Sequence, residues 1–468
     1  MSRTHGRSAL VLAATVTLAA LLVPASANAA LSRGSLTQLP GAKGCLVDSA
    51  QRSGRCGVAR ALKEPGPFMG SRAIQISPDG RNVYVASSKS NAIAIFKRDQ
   101  RHGTLKQAPG SKGCAAARRS FGCARAIGLD GPNSIAISPD GGNVYATARD
   151  SSSVVTFRRN RGNGALTQLP AAAGCVAGVP IPACGTGRAM AGADVVTVSP
   201  DGRNVYVGAF FGNAVATFDR DPATGELTQP ADETGCLTAA PEANCATGLA
   251  LNSVEGMAVS GDGANVYVAS ATSNAVLNLV RDSTTGALSQ AADGSGCFVD
   301  AALEGCMTGR EISGANAVAV SPRGGDVYVT SLISGSVTQF SSSGSPGLLS
   351  QPTIKSGCVA WLGASGCTPG RSLRAPEGIA VSPDGTNVYA AAYSSGGIAV
   401  LERGPKTGGV VQKFGTGGCV TTQSIANCAT GRAMDGLSSI AISRDGRFVY
   451  STAAKSNAVN VFRRATRG

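Results

Sequence analysis

Histidine is nearly absent from this chain. The 468 residues include two histidines and one tryptophan, and aromatic residues amount to 4% of the total. The sequence has no His/Glu cluster with metal-ligand spacing, no Gly-x-Ser-x-Gly elbow and no phosphate-binding loop. It therefore carries none of the usual signatures of zinc enzymes, serine hydrolases or nucleotide-binding proteins.

Long apolar runs are also missing. The longest, residues 9–23, has 15 residues, whereas about 18 are needed to cross a membrane. Arg3 and Arg7 precede this run and the small residues 27–29 follow it, which is the pattern of a secretory signal peptide. We predict a signal peptide over residues 1–29 and a secreted or extracytoplasmic protein without a membrane span.

A period of 61 residues runs through the rest of the chain. The serine that opens a turn of the Ser-Pro-Asp-Gly type recurs at this spacing, at Ser77, Ser138, Ser199, Ser260, Ser321, Ser382 and Ser443. A tyrosine stands seven positions after each of these serines. Such self-similarity is typical of repeat architectures, in which each unit packs on its neighbours.

Each repeat contains four strand patterns. In the third copy, residues 195–198 and 204–209 flank the Ser-Pro-Asp-Gly turn, residues 214–218 alternate in face, and a fourth strand begins at Leu227. Four strands per unit are typical of a β-propeller blade rather than a helical solenoid. We predict one all-β domain over residues 30–468, a seven-bladed β-propeller with four-stranded blades.

The two ends of the chain are predicted to meet in one blade. The last copy stops after its third strand, residues 458–462, and residues 35–38 provide a fourth strand before any first strand appears. Pairing these segments closes the ring and removes exposed strand edges. In this arrangement the Ser-Pro-Asp-Gly turns lie on one face. The cysteine loops and the loops after the second strand lie on the other, around the channel mouth.

Fourteen cysteines fall into seven close pairs, one for each repeat. In an exported chain such pairs indicate disulfides rather than zinc sites. Each bond stabilises the folded chain by about 2–3 kcal/mol in the chain-entropy model. The predicted bonds are Cys45–Cys56, Cys114–Cys123, Cys175–Cys184, Cys236–Cys245, Cys297–Cys306, Cys358–Cys367 and Cys419–Cys428.

Positive charge exceeds negative charge, with a net value of +14 at pH 7. This excess favours an anionic partner, and the alternative is that it keeps an exported protein soluble. Arginines also recur four residues after the second cysteine of most repeats. We expect these to bond a neighbouring blade's loop, with a clamp for carboxylates or phosphates as the alternative. They are Arg60, Arg188, Arg310, Arg371 and Arg432.

The third copy also carries a family resemblance. Residues 199–207, Ser-Pro-Asp-Gly-Arg-Asn-Val-Tyr-Val, resemble the YVTN-type propeller repeat. The continuation through residues 218–221 and 224–228 is similar to the lactonase family of seven-bladed propellers, which includes phosphogluconolactonase-like and carboxymuconate cyclase-like proteins. The resemblance covers all seven repeats. It implies the propeller fold, whereas one fold can host many activities.

Members of that family with lactone chemistry use a histidine, an arginine and a glutamate around the channel mouth. Their histidine typically stands just before an innermost strand. No blade of this chain has a histidine there, and His102 lies in a turn between a third and a fourth strand. No residue of this chain therefore corresponds to the family's histidine. The sequence leaves open whether the protein is an enzyme.

Seven polar residues, which we call the channel ring, stand five positions before the repeat serines, where the chain enters the channel mouth. They differ chemically from blade to blade: Arg72, Asn133, Asp194, Glu255, Asn316, Glu377 and Ser438. Asp194, Glu255 and Glu377 are candidate general acids or bases if burial raises their pKa values. In a lactonase-like enzyme we expect Glu255 or Glu377 as the base, with Arg72 or Arg149 as an anion clamp.

Asn133, Asp194 and Asn316 are candidate ligand-binding residues of the same ring. As an alternative, these side chains and the ring glutamates could hold calcium through their oxygen atoms. They could also simply bind loop backbone groups and water. Apart from that calcium alternative, the sequence implies no cofactor and no metal site.

Aromatic side chains of the mouth loops complete the candidate site. Phe210, Phe211 and Tyr393 lie in the loops after the second strand, and Trp361 lies inside a cysteine loop. Such side chains suit stacking on a flat ligand or contact with a protein, and local packing under the loops is the alternative.

Three functions remain after these observations. The first is a monomeric binding or interaction protein that holds a ligand at the channel mouth. This ligand is a small molecule, a glycan or a protein, and the positive net charge is compatible with an anionic one. The alternative is a lactonase-like hydrolase or cyclase acting on a sugar or dicarboxylate lactone. The third is nucleic-acid binding, which we do not expect because the arginines are dispersed and aromatics are few.

Overall fold

The computed structural model describes residues 32–51, 54–66, 72–118, 122–291, 293–343, 348–361 and 366–466, together with Met1 and Gly363. The predicted signal peptide, apart from Met1, lies outside the described residues. No described helix has the length and apolar character needed to cross a membrane.

Seven sheets form the seven blades of a β-propeller, as predicted. The inner strands of blades one to seven are Ile74–Ile76, Pro132–Ile137, Ala193–Val198, Val254–Val259, Ala315–Val320, Pro376–Val381 and Leu437–Ile442. The second strands are Asn82–Ser87, Asn143–Ala148, Asn204–Ala209, Asn265–Ser270, Asp326–Ser331, Asn387–Ala392 and Phe448–Ala453. The third strands are Ala92–Arg98, Ser153–Arg159, Ala214–Arg220, Ala275–Arg281, Ser336–Ser343, Gly397–Arg403 and Ala458–Arg464.

The outer strand of each blade is divided into two segments, a detail that the sequence pattern did not predict. The first segments pair with the ends of the third strands and are Leu105–Gln107, Leu166–Gln168, Leu227–Thr228, Leu288–Gln290, Leu348–Ser350, Val410–Gln412 and Leu36–Gln38. The second segments pair with the beginnings of the third strands and are Cys114–Ala116, Cys175–Ala177, Cys236–Thr238, Cys297–Val299, Cys358–Trp361, Cys419–Thr421 and Cys45–Asp48.

Short 3-10 helices connect these segments in six blades: Gly110–Lys112, Ala171–Gly174, Glu233–Gly235, Lys355–Gly357, Gly415–Gly418 and Gly41–Lys43. One further 3-10 helix, Ser88–Ser90, follows a second strand. Beyond each disulfide loop, a short strand runs parallel to the second outer segment. These strands are Ala124–Arg125, Gly185–Thr186, Ala246–Thr247, Met307–Thr308, Thr368–Gly370, Ala429–Thr430 and Gly57–Ala59.

The repeat serine holds the tight turn between the inner and second strands. In blade three the Ser199 hydroxyl donates to Asp201 at 2.5 Å and accepts from the Asn204 backbone N–H at 3.0 Å. Gly202 has a φ of 71°, a left-handed conformation that favours glycine. Serine, aspartate and glycine therefore recur together because each makes its own part of the turn.

Adjacent blades are joined by an arginine at the end of the third strand. Arg281 of blade four donates from Nε to the Tyr206 hydroxyl of blade three at 2.8 Å, and from Nη2 to Asp201 at 2.8 Å. The tyrosine in turn donates to the Gly286 carbonyl at 2.8 Å. The repeat tyrosines are fully buried, so their hydroxyls need these partners.

The arginines that follow the second cysteines also connect neighbouring blades, as predicted. Arg188, at the end of blade two, donates from Nη2 to the carbonyls of Pro230 at 2.6 Å and Asp232 at 3.1 Å in blade three. Arg371 makes the same contacts with Lys413 at 2.7 Å and Gly415 at 3.4 Å. Their role here is structural.

Both ends of the chain build blade seven. The segments Leu36–Gln38 and Cys45–Asp48 both pair with the third strand Ala458–Arg464. The Tyr389 hydroxyl of blade six donates to the Gly34 carbonyl at 2.7 Å. The predicted closure of the ring is therefore confirmed.

All fourteen cysteines form the seven predicted disulfides. Each bond links the start of a second outer segment to the loop that follows it. The disulfide loops therefore reinforce the outer edge of every blade, on the same face as the loops after the second strands.

Candidate functional site

A β-bulge places each described ring residue except Arg72. In blades two to seven, the register between the inner and second strands shifts at the ring position; in blade three, for example, it shifts between Ala193 and Val195. A bulged residue is left out of the ladder, so its side chain is re-aimed. The bulge thus leaves Asp194 and its counterparts unpaired with the second strand and changes the direction of their side chains at the channel mouth.

The channel ring is buried. Its six members from Asn133 to Ser438 expose between 0% and 2% of their surface, and Arg72 is partly exposed. Buried polar groups are costly unless they are bonded, so the contacts of each one decide what it can do.

Asp194 is the centre of the ring's polar contacts. Its Oδ1 accepts from Asn133 Nδ2 in blade two and from Arg149 Nε at 2.6 Å, and Arg149 Nη2 lies 2.5 Å away. Oδ2 accepts no hydrogen bond from the described residues. Burial raises the pKa of Asp194 to about 6, although Arg149 and Asn133 oppose the rise.

Glu255 lies next along the ring, in blade four. Burial, and then the charge of Asp194, raise the pKa of Glu255 well above its usual value, while Arg149 opposes the shift. Asp194, Glu255 and Arg149 therefore form one electrostatic group. Two coupled carboxyl groups whose pKa values are raised above their usual range are suited to proton transfer.

Glycines after the two ring glutamates bring neighbouring inner strands close together. A Cβ atom on Gly256 would lie 2.6 Å from the Asn316 carbonyl oxygen, and one on Gly378 would lie 2.6 Å from the Ser438 carbonyl oxygen. Larger residues would separate the strands and open the ring. The Glu-Gly pairs thus keep Glu255 and Glu377 packed against the next blade.

Asn316 and Ser438 are held by structural contacts. Asn316 donates to the Pro376 carbonyl at 3.2 Å and accepts from the Thr330 hydroxyl at 2.9 Å. Ser438 donates to the Gly66 carbonyl at 2.5 Å. These contacts fit the alternative that part of the ring satisfies backbone groups.

Arg72 crosses the channel instead of facing the carboxylates. Its Nη1 donates to the Met257 carbonyl of blade four at 2.7 Å. Arg72 also lines a cavity of about 420 Å³ whose other walls are mostly apolar inner-strand residues, among them Val198, Val320 and Ile442. The arginine thus stands between this apolar channel and the polar ring.

Phe210 and Phe211 lie beside the Asp194 group. The Arg149 guanidinium is 4.6 Å from the centroid of the Phe210 ring, and the two phenylalanine rings meet edge to face at 5.1 Å. Phe211 is 66% exposed. Of the predicted aromatics, these two are brought to the same part of the mouth as Asp194.

Tyr393 lies at a second position on the mouth, in a pocket of about 430 Å³ shared by blades six, seven and one. Lys455 Nζ lies 4.5 Å from its ring centroid, and Lys63 and Lys89 also line the pocket. Burial, followed by the charges of Glu377 and Glu64, raises the pKa of Tyr393. Tyr393 therefore connects this basic pocket to the ring carboxylate Glu377.

Trp361 is placed elsewhere. It ends the outer segment Cys358–Trp361 and packs against the core between blades five and six. An outer strand is three strands away from the channel, so Trp361 is not brought to the ring. Within the described residues, no group of three or more His, Cys, Asp or Glu side chains is arranged to hold a metal ion.

A family model described as "Lactonase, 7-bladed beta-propeller" matches residues 69–181. This range covers the first blade and most of the second. The match covers less than half of the chain, so it shows that these two blades resemble the lactonase family. No curated protein sequence matches it significantly.

Solved structures resemble this propeller at low sequence identity. A candidate 6-phosphogluconolactonase from Bacteroides uniformis is 20% identical, with a TM-score of 0.53 over 80% of this chain and 88% of that one. The periplasmic gluconolactonase of Pseudomonas aeruginosa is 18% identical, with a TM-score of 0.51 over 81% and 93%. The hydrazine synthase of Kuenenia stuttgartiensis is 17% identical, with a TM-score of 0.51 over 86% and 96%. At these identities the likeness shows the fold alone.

The spacing of the repeats predicted the positions of the ring but not the contacts at its centre. Arg149, a predicted anion clamp, bonds to Asp194 in the next blade. Asp194, predicted as a ligand-binding residue or a general acid or base, is electrostatically coupled to Glu255. The spacing of 61 residues gives corresponding positions, but it does not show which side chains meet across a blade boundary.

Proposed function

We propose that this protein is a lactonase-type hydrolase whose acid–base group is the Asp194–Glu255 pair. The observation that carries the proposal is that two buried carboxyl groups at the channel mouth are coupled to each other and to Arg149. The family match and the likeness to a gluconolactonase fold support this interpretation better than they support a binding protein for a glycan, metabolite or protein.

The two carboxyl groups have different preferred states near pH 7. With a pKa of about 6, Asp194 is mostly ionised, and its negative charge adds to burial in raising the pKa of Glu255, which favours the protonated form of Glu255. Titratable groups whose environments separate their pKa values divide acid and base roles between them. Asp194 is therefore the proposed base and Glu255 the proposed acid.

Ring opening then proceeds with one water molecule. Asp194 takes a proton from water as the water oxygen bonds to the lactone carbonyl carbon. Glu255 gives its proton to the ring oxygen as the acyl carbon–oxygen bond breaks. Proton transfer from Asp194 to Glu255 restores both groups, and the new carboxylic acid product releases a proton to solvent.

Arg149 controls access to Asp194 in this proposal. Its side chain is 21% exposed, whereas that of Asp194 is 1% exposed. The negative oxygen that develops on the substrate carbonyl attracts Arg149 away from Asp194. Because Arg149 lowers the pKa of Asp194, its departure makes Asp194 a stronger base.

We place this activity outside the cytoplasm. Seven disulfides in one chain are consistent with an oxidising compartment. The leader pattern over residues 1–29 supports export.

The proposal is tested by proton release in a pH-stat, using the oxidised protein and a panel of sugar and dicarboxylate lactones. We expect hydrolysis above the buffer rate, and a loss of about 100-fold or more in Asp194→Asn and in Glu255→Gln. Asp219→Asn in the same blade is the matched control, because Asp219 lies on the third strand opposite Asn204, at the other face. Its rate should equal that of the wild type.

Two results would overturn the hydrolase proposal. One is no hydrolysis of any lactone by a protein whose thermal unfolding shows that it is folded. The other is full activity in both ring variants. Loss of activity in Glu377→Gln alone would move the site to the Tyr393 side of the ring.

A further inference from the structure

The arginine links between blades recur at every blade boundary except that of blades four and five. At the boundary of blades one and two, Arg159 donates to the Tyr84 hydroxyl at 2.8 Å, to the Asp79 carboxylate at 2.8 Å and to the side-chain oxygen of Asn82 at 2.7 Å. It also donates to the Gly141 carbonyl at 3.1 Å. Every hydrogen-bonding nitrogen of the guanidinium thus has an acceptor.

The same position carries an arginine in six blades and a serine in one. The arginines are Arg98, Arg159, Arg220, Arg281, Arg403 and Arg464, and Ser342 takes the position in blade five. Ser342 Oγ lies 2.8 Å from the Tyr267 hydroxyl of blade four. Because serine is much shorter than arginine, the space that the arginine side chain occupies in the other six blades is left unfilled here.

A cavity of about 360 Å³ lies at this position, and we call it the Ser342 cavity. Its walls include Asp262, Asn265, Tyr267, Gly324 and Ser342. The first four are the counterparts, at the boundary of blades four and five, of the residues that hold Arg159, and Ser342 is the counterpart of Arg159 itself. The acceptors of a guanidinium are therefore assembled without the arginine.

Asn265 shows that this set of acceptors is incomplete. It is 2% exposed, and its side-chain oxygen Oδ1 has no hydrogen-bond partner among the described residues. The corresponding oxygens of Asn82, Asn143 and Asn204 each accept from an arginine, at 2.7, 2.8 and 2.6 Å. A buried side-chain oxygen without a hydrogen-bond partner lowers the stability of the folded protein, so a ligand that donates a hydrogen bond to it gains binding free energy.

Asp262 supplies the negative charge of the cavity. The Ser260 hydroxyl, followed by the Ala264 backbone N–H, holds the pKa of Asp262 below its usual value. Asp262 is exposed, so a ligand reaches it from solvent. The other charged side chain in the wall is Arg323, which makes no ion pair with Asp262 within the part of the chain that the structure describes.

We propose that the Ser342 cavity binds the guanidinium group of a ligand from solution. Tyr267, Asp262, Asn265 and the Gly324 carbonyl would take the roles that their counterparts have toward the six repeat arginines. The planar fork of a guanidinium matches these acceptors, whereas an ammonium is a compact point charge that reaches fewer of them. The ligand is either an arginine side chain of a polypeptide or a small guanidinium compound.

The test is calorimetric titration of the folded, oxidised protein with ethylguanidinium, with ethylammonium at the same ionic strength as the reference cation. We expect saturable binding of ethylguanidinium at one site per chain, about 10-fold or more tighter than ethylammonium. Equal binding of the two cations would overturn the proposal, because it would indicate only a counterion near Asp262.

Two substitutions locate the site. Ser342→Arg should fill the cavity, abolish ethylguanidinium binding and raise the thermal midpoint of unfolding. Ser341→Arg on the adjacent strand position is the matched control and should leave binding unchanged. Binding that persists in Ser342→Arg would overturn the proposal.

Further variants keep the test decisive if Ser342→Arg does not fold. Asp262→Asn removes an exposed charge and should weaken binding about 10-fold. Arg281→Ser should create an equivalent cavity at the boundary of blades three and four, which would double the number of bound ethylguanidinium ions. Unchanged affinity in Asp262→Asn would contradict the assignment.

The two sources of the guanidinium are separated with the peptide acetyl-Gly-Arg-Gly-amide. Tighter binding of the peptide than of ethylguanidinium would identify a polypeptide arginine as the ligand. Binding no tighter than that of ethylguanidinium would identify a small guanidinium compound. Either result keeps the proposal, and failure of both probes to bind overturns it without affecting the proposed hydrolase.

Discussion

Arg149 Nε lies 2.6 Å from Asp194 Oδ1, across the boundary between blades two and three. The contact joins a loop residue, which is partly exposed, to a buried carboxylate on a β-bulge. It sets the charge state of the channel mouth, because Arg149 opposes the raised pKa values of both Asp194 and Glu255. Two predictions follow from this pair.

Asp194 should make stability depend on pH in a defined window. Its pKa is about 6 in the folded protein and near 4 in the unfolded chain, so between these values the folded state holds the additional proton. The free energy of unfolding should therefore fall by on the order of 2 kcal/mol as pH rises from about 4 to 6, and the raised pKa of Glu255 acts in the same direction. Urea unfolding at several pH values measures this dependence. The free energy of unfolding should change less with pH in Asp194→Asn than in Glu226→Gln, the control, which removes an exposed carboxyl group of the same blade.

Arg149→Gln should raise the pKa of Asp194 further. The substitution removes the nearby positive charge and leaves burial, which raises the pKa. The ¹³C carboxyl signal of Asp194 should then titrate at a higher pH than in the wild type. Arg161→Gln, which removes a surface partner of Asp140, serves as the control and should leave the titration in place. An unchanged Asp194 midpoint in Arg149→Gln would disprove the electrostatic link.

Loss of a link between blades should cost more than loss of a surface arginine. Arg281→Ser removes contacts to Tyr206, Asp201 and Asn204, so we expect the free energy of unfolding to fall by about 2 kcal/mol. Arg203→Ser, at an exposed position of the adjacent turn, should change it by less than about 0.5 kcal/mol. Equal effects of the two variants, measured by urea unfolding, would contradict the role of the link.

A single disulfide should contribute measurably to stability. The variant with Cys236→Ser and Cys245→Ser loses a bond that closes a loop with a sequence separation of 9. The chain-entropy model predicts a loss of about 2–3 kcal/mol. Oxidised wild type and variant should differ in thermal midpoint, and the difference should shrink when the wild type is fully reduced. A variant as stable as the oxidised wild type would show that the bond is dispensable.

Sequence periodicity predicted the fold to a large extent because the propeller repeats its own contacts. The spacing of Ser199 and its counterparts gave the number of blades, and the strand pattern of residues 35–38 gave the closure of blade seven. The disulfides followed from the pairing of cysteines within each repeat. All of these are local signals that recur at a fixed distance.

Apart from those of the arginines after the second cysteines, the side-chain contacts between blades could not be predicted from the same signals. The pairing of Arg149 with Asp194 depends on how two adjacent sheets are oriented, and the position of Trp361 depends on which strand its loop extends. The replacement of an arginine by Ser342 was visible in the sequence. Its meaning was not, because the acceptors Asp262 and Tyr267 come from the preceding blade.

Blade seven is built from the first and the last strands of the domain. Once the chain is in the oxidising compartment proposed above, blades one to six can therefore each form their own sheet and disulfide, whereas blade seven needs both ends of the domain. The Cys45–Cys56 bond can form long before its blade exists, whereas the strand Ala458–Arg464 arrives last. A chain without that strand would be an open arc with two exposed strand edges, so the ring closes only when both segments are present.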